Sequence, residues 1–220
     1  MLNVLVLCDD CWHPAETLVR AFAALDKGRY TLDYVMAPRD ILYDEMLYRY
    51  DVIVLARANS FSPALSSNKW FDPKWCAVMP ENFRRYIESG RGYIALHAGL
   101  TMKTAEVPEL AALHGSEFVF HPPQCPVTVR PVKDHPIAEG VKPFTARDEH
   151  YAIKMLCDDA DVFLESASDS EAGVQVAGYT RLIGNGRLCA LTPGHTLSAL
   201  GDPNCLKLIS NAIDWCAKQK

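Results

Sequence analysis

The chain has 220 residues, 49% of them hydrophobic and 22% charged, and its 22 Lys and Arg against 27 Asp and Glu leave a net charge of −5. That composition supports a substantial core, and the mild, evenly spread charge excludes a disordered acidic tail and argues against nucleic acid as a partner. The longest strong apolar run, Val4-Leu5-Val6-Leu7, falls far short of the roughly 18 residues of a membrane span. With no basic leader or full signal-type apolar stretch at its start, the expectation is a cytoplasmic protein with no membrane partner.

In the first half, strand and helix signals alternate. Asn3 to Cys8 reads as a short buried strand, and Pro14 opens a helix carrying Ala15, Leu18, Val19 and Phe22 at helical spacing. Tyr30 to Met36 and Asp51 to Leu55 read as further strands. Pro80 to Ser89 is a helix with Phe83, Tyr86 and Ile87 on one face, stopped by Gly90 before a fourth strand through Tyr93-Ile94-Ala95-Leu96. This alternation implies a parallel sheet covered on both faces. Between the third strand and the Pro80 helix, residues Arg57 to Met79 make a connection long enough to be a functional loop. Its Trp70, Phe71 and Trp75 either close over a pocket or anchor the loop, and Trp70 is taken as a substrate-binding candidate.

The second half turns to strands: Pro126 to Arg130, Val162 to Glu165, Val174 to Tyr179 and Arg187 to Leu191, with Asn185-Gly186 as a hairpin signal before the last. Asp202-Pro203 then starts a final helix with a broad apolar stripe through Leu206, Ile209, Ile213 and Cys216. No repeat or linker divides the chain, so residues 1–220 are expected to form a single domain.

Eight cysteines invite a disulfide reading, but the chain's size, the expected compartment and positions such as Leu188-Cys189-Ala190-Leu191 favour reduced core residues. Cys8-Asp9-Asp10-Cys11 has the spacing of a reactive pair, yet its two aspartates oppose thiolate formation. No second pair at comparable spacing completes a four-ligand zinc site.

Ligands of open parallel sheets bind beyond the carboxyl ends of the strands. Asp9, Asp10 and His13 follow the first strand, and His97-Ala98-Gly99 follows the fourth. Gly90 to Gly99 has the form of a nucleophile elbow whose bend residue is histidine, a group that binds metals or moves protons near neutral pH. Asp148-Glu149-His150-Tyr151 and Pro193-Gly194-His195 are two more candidate sites, while His114, His135 and His150 are assigned to structure.

These residues resemble the ThuA-like (trehalose utilization) family of the class I glutamine amidotransferase-like superfamily. The likeness rests on Tyr93 to Gly99, Phe118-Val119-Phe120-His121-Pro122, Asp134 to Gly140, Asp148-Glu149-His150-Tyr151, Pro193-Gly194-His195 and Leu206 to Trp215. It implies a flavodoxin-like three-layer α/β sandwich with a mostly parallel central sheet and extra strands in the second half. It also implies a link to sugar metabolism, with His97 where related amidotransferases carry cysteine. His13, His97, Glu149 and His195 map onto polar positions of the family's cleft, with His121 a further candidate.

The expected protein is therefore an enzyme acting on a sugar or oxidised (keto) sugar: a hydrolase, lyase or isomerase without an elbow cysteine. His97, Glu149 and His195 are the catalytic candidates, and His13, His121, Asp9 and Trp70 the substrate-binding ones. His13, His97 and His195 are also metal-ligand candidates, for a divalent ion such as zinc. A homo-oligomer is left open as a further partner arrangement. Two rival readings also stay open: a sugar-binding or regulatory module without chemistry, and a cysteine-dependent amidotransferase-like activity.

Overall fold

The computed structural model describes residues 1–60 and 69–218. The first apolar run forms β1 (Leu2–Leu7), followed by α1 (Ala15–Phe22), β2 (Tyr30–Val35), the single turns α2 (Pro38–Ile41) and α3 (Asp44–Leu47), and β3 (Val52–Leu55). After the long loop come α4 (Pro80–Glu88), β4 (Gly92–Leu96) and α5 (Pro108–His114). The second half supplies β5 (Ser116–Phe120), β6 (Cys125–Pro131), β7 (Phe144–Asp148), β8 (Ala152–Met155), β9 (Asp161–Ala167), β10 (Val174–Ile183) and β11 (Gly186–Leu191). Two helices, α6 (Leu197–Leu200) and α7 (Pro203–Cys216), close the chain. No helix among the described residues is long and apolar enough to cross a membrane.

Nine strands make one sheet in the order β2-β1-β3-β4-β11-β10-β9-β6-β7. The first five pair in parallel, and the other four extend the sheet by antiparallel pairing. Seven of the nine strands consequently point the same way, so the sheet is mostly parallel in direction but parallel in its ladders only over one half. Having paired β2 on one side of β1, the chain crosses to put β3 on the other. This reversal opens a crevice at the carboxyl ends of the central strands. The Pro126 to Tyr179 strands thus join the main sheet, while β5 and β8, which the sequence pattern did not reveal, pair separately beside it.

The central strands are apolar on both faces because both are covered. Val4, Val6, Val52, Val54, Ile94, Leu96, Cys189 and Leu191 pack with α1 and α7 in one core. Leu5, Leu7, Ile53, Leu55, Tyr93, Ala95, Leu188 and Ala190 pack with α4 and α5 in the other. Burying each Leu or Ile in this way contributes about 1.5–3 kcal/mol, which explains why these short runs are so legible as strands. At α7, Asp202 accepts from Asn204 N at 2.8 Å ahead of Pro203, the expected cap. The β10–β11 hairpin turns through Gly184 and Asn185, one residue earlier than the Asn185-Gly186 signal implied, with Gly184 taking a left-handed φ of +57°.

The eight cysteines are all free, and Cys8, Cys189, Cys205 and Cys216 are buried. In the long loop, residues 61–68 lie outside the described residues, so its expected functional role is visible only at its flanks. Trp70 is fully buried in the α4-side core. It stacks on Phe71 with ring centroids 4.3 Å apart and meets Phe83 edge-on at 5.9 Å. The substrate-binding assignment for Trp70 is therefore corrected: this indole anchors the loop.

The elbow depends on a close backbone approach. A Cβ placed on Gly99 would lie 2.1 Å from the carbonyl oxygen of Leu55 at the end of β3, so the turn after β4 presses directly on its neighbour. Gly99→Ala is expected to lower stability by roughly 1–3 kcal/mol or more, read as a fall in the urea midpoint. An unchanged midpoint would show that the elbow can move away from β3.

Candidate functional site

Three strand ends and the β7–β8 connection bring four side chains together. His97 stands at the end of β4 with a φ of +42°, unusual for a residue with a side chain, and is 2% exposed. Its Nδ1 lies 2.7 Å from the carbonyl oxygen of Thr192, just past β11. A carbonyl can only accept, so Nδ1 is the donor of this bond and Nε2 is the ring nitrogen turned toward the site. Nε2 is buried with no hydrogen-bond partner among the described residues, and the Glu149 Oε2 it faces is 3.5 Å away.

His13, past the end of β1, is set by the same logic. Its Nδ1 lies 2.8 and 2.9 Å from the two carboxylate oxygens of Asp10. Asp10 also accepts from the backbone amides of Trp12 at 2.9 Å and Ala58 at 2.7 Å. Burial opposes ionisation of Asp10, but His13 and these amides outweigh it and hold its carboxyl below the usual range. The His13 imidazole is pushed the opposite way: burial, reinforced by His97 and His195, lowers its pKa against the pull of Asp10. It therefore presents a neutral ring with a lone pair on Nε2, which lies 3.4 Å from the Tyr151 hydroxyl.

His195 follows β11 on a loop held by Asp148, whose buried carboxylate accepts from the amides of Gly194 (2.7 Å), His195 (2.8 Å) and Thr196 (3.2 Å). The Nδ1 of His195 lies 3.2 Å from Glu149 Oε2. This nitrogen too is buried without an aligned hydrogen bond among the described residues. Its contact with Glu149 raises the His195 pKa in spite of burial. For Glu149, burial opposes the charge, yet His195 and His97 overcome it and keep the carboxyl far below its ordinary range.

The ligand atoms of His13, His97, Glu149 and His195 all lie within 4.8 Å of one another. That span is only slightly wider than twice a zinc–nitrogen bond, about 4.2 Å. Two of the three imidazoles are oriented through the nitrogen that faces away, one by a carboxylate and one by a carbonyl, the usual support of metal-ligating histidines. Together with the partnerless nitrogens of His97 and His195, this donor set fits a divalent ion.

His121, at the end of β5, stands at the margin. Its Nδ1 donates to the carbonyl of Pro122 at 2.9 Å, leaving Nε2 3.7 Å from Glu149 Oε2. Tyr151, buried and stacked on His97 at 4.1 Å and on His121 at 5.7 Å, forms the wall between them. A cleft of about 800 Å³ opens over His13, His121, Glu149, Tyr151 and His195, with Trp12, Phe118, Lys69 and Lys103 among its outer lining.

Asp9 does not join this group. Its Oδ1 accepts from Ala15 N at 3.0 Å, satisfying an amide at the start of α1, and it does not line the cleft, whereas its neighbour Asp10 orients His13. The Asp10-x-x-His13 spacing was the available signal; nothing in the pattern singled out Tyr151. His114, bonded to Tyr93, His135, stacked on Phe163, and His150, held between Ser166 and Ser168, serve structure as expected. No cysteine belongs to the cluster, and burial pushes the Cys8 thiol up to about 11, which argues against a thiolate nucleophile.

The Glu149–His195 pair has a defined pH signature. The lowered Glu149 pKa contributes stability that is complete above the unfolded value of 4.5 and is lost as pH falls through the folded value. The raised His195 pKa contributes stability that is complete below 6.5 and is lost as pH rises through the folded value. The stability difference between the metal-free protein and Glu149→Gln is thus expected to be largest between pH 4.5 and 6.5, measured by denaturant titration across pH. A pH-independent difference would contradict the pairing.

Similar folds occur in solved structures. A protein described as thua-like from Parabacteroides merdae superposes with a TM-score of 0.76 at 17% identity, over 98% of this chain and 90% of the other. One from Bacteroides uniformis gives 0.73 at 22%, over 98% and 91%. A β-galactosidase from Rahnella sp. R3 gives 0.66 at 14%, over all of this chain but 32% of its own. At these identities the likeness is one of fold. No curated protein sequence matches the chain. The family profile of ThuA, described as trehalose utilisation, matches residues 3–216, nearly the whole length, and the chain belongs to this family.

Proposed function

We infer that the protein is an enzyme acting on a sugar or an oxidised (keto) sugar derivative, as a hydrolase, lyase or isomerase. In this reading His13, His97, Glu149 and His195 hold one divalent first-row ion, zinc by the character of the donors. The observation that carries it is the convergence of buried imidazole nitrogens, two of them without an aligned hydrogen bond, on one carboxylate beside a cleft. Buried polar atoms without an aligned hydrogen bond are costly, and two of them facing one carboxylate oxygen support a shared ligand.

Such an ion, when bound, polarises a carbonyl oxygen or lowers the pKa of a water. The chain's own residues supply the rest. Asp10 and the Thr192 carbonyl fix the tautomers of His13 and His97, and Asp148 fixes the main chain of His195. His121 stands outside the four, with its Nε2 facing Glu149 at the cleft, and is the group placed to take or return a substrate proton. Tyr151 keeps the ring planes of His97 and His121 in register. The order of the parallel strands and the histidine at the elbow also support a flavodoxin-like, class I glutamine amidotransferase-like lineage in which His97 occupies the nucleophile position. The family description supports a single sugar-directed domain.

Elemental analysis of the purified protein is expected to find one divalent ion per chain. His97→Ala and Glu149→Ala, folded by circular dichroism, are expected to weaken metal binding by more than the roughly 10–100-fold typical of losing an outer-shell partner, and to abolish turnover of oxidised disaccharides. Full turnover in these variants would overturn the proposal. Sugar binding that survives chelation with no product formed would identify a binding module instead.

A further inference from the structure

The outer part of the cleft carries two ammonium groups and one carboxylate away from the imidazoles, Glu106. Lys103 follows the elbow, and its Nζ lies 5.6 Å from the centroid of the Phe118 ring. This cation–π arrangement holds the charge over the cleft's aromatic wall. Lys69 sits within the long loop, with its main chain bridged to Ser60. The next two residues are tied to Asn59, Trp70 N to its carbonyl at 2.7 Å and Phe71 N to its side-chain oxygen at 3.0 Å. The buried Trp70 thereby fixes the point from which Lys69 projects. Among the described residues neither lysine forms an ion pair. Of the two cleft carboxylates, Glu149 is faced by three imidazoles, which leaves Glu106 alone against two lysines.

Trp12 is the third feature. Its indole is 52% exposed while lining the same cleft, and its main chain is held by the bond from its amide to Asp10. A large flat apolar ring kept on a fixed backbone beside His13 offers the C–H face of a sugar a stacking surface.

We propose that this cleft takes a sugar bearing an anionic group, a carboxylate or a phosphate, with the ring on Trp12 and the anion held by Lys69 and Lys103. The proposal rests on the sugar-directed reading above and names the substrate class of that site. An ammonium recognises either anion as a point charge, so the overall net charge of −5 does not prevent local selection of an acidic ligand.

The test compares trehalose, its 6-phosphate and its 6-carboxylate binding to the full chain, by calorimetry and tryptophan fluorescence, with inorganic phosphate as a control. At least one anionic sugar is expected to bind about tenfold or more tighter than trehalose at low salt. That preference is expected to fade as salt is added, and the two anionic sugars distinguish carboxylate from phosphate recognition. The double variant Lys69→Gln/Lys103→Gln, with unfolding temperature checked, is expected to bring the anionic sugars down to the affinity of trehalose. Trp12→Ala is expected to weaken all three. Trehalose binding as tightly as both anions, inorganic phosphate binding as tightly as the anionic sugars, or a preference that survives the double substitution would overturn this inference and leave the sugar reading standing. If none of the three sugars binds, both fall.

Discussion

A carboxylate taken out of water has to be compensated by its surroundings, and Glu149 is compensated by imidazoles and by the Tyr151 hydroxyl, with no permanent cation among them. One of its oxygens is faced by His97, His195 and His121 at 3.5, 3.2 and 3.7 Å. None of these is a permanent cation, so the charge balance at the site can be changed by protons or by a bound ion. A Lys or Arg in any of those places would have locked the carboxylate into a fixed ion pair.

The two halves of the sheet divide the labour around this group. The parallel half provides the ends of β1, β4 and β11, which deliver His13, His97 and His195 on either side of β3, and the crossover at β1 leaves space above them. The antiparallel half ends in β7, and the connection from β7 to β8 brings Glu149 and Tyr151 back over those ends. The small β5–β8 sheet adds Phe118 and His121 as the opposite wall. What distinguishes this site from a generic open sheet is therefore supplied by the strands that depart from the parallel pattern.

Legibility in the sequence follows the same division. β1, β3, β4 and β11 are buried on both faces and read as continuous apolar runs, and His97 and His195 stood out because they follow such runs. β5 and β8 are partly exposed without a regular burial pattern, and β7 alternates but places the carboxylate of Asp148 on its buried face, so hydrophobic patterning marks them weakly. Single-residue choices were harder still. Asp9 and Asp10 are equivalent on paper, but the φ of +72° at Asp9 turns the chain so that one carboxylate serves α1 and the other serves His13. Trp12 and Trp70 were likewise distinguishable only by burial, a property of tertiary packing rather than of spacing.

Asp148 and Glu149 are consecutive, yet one grips the main chain of the His195 loop while the other faces its ring. The edge strand β7 thus acts as a common carrier for both contacts. The acid and the imidazole are thereby tied to the same strand end, so the distance between them is set by β7 and the Asp148 bonds. The frame of reference for the site is local to this dipeptide, which allows the periphery of the fold to vary while the spacing between the two groups is kept.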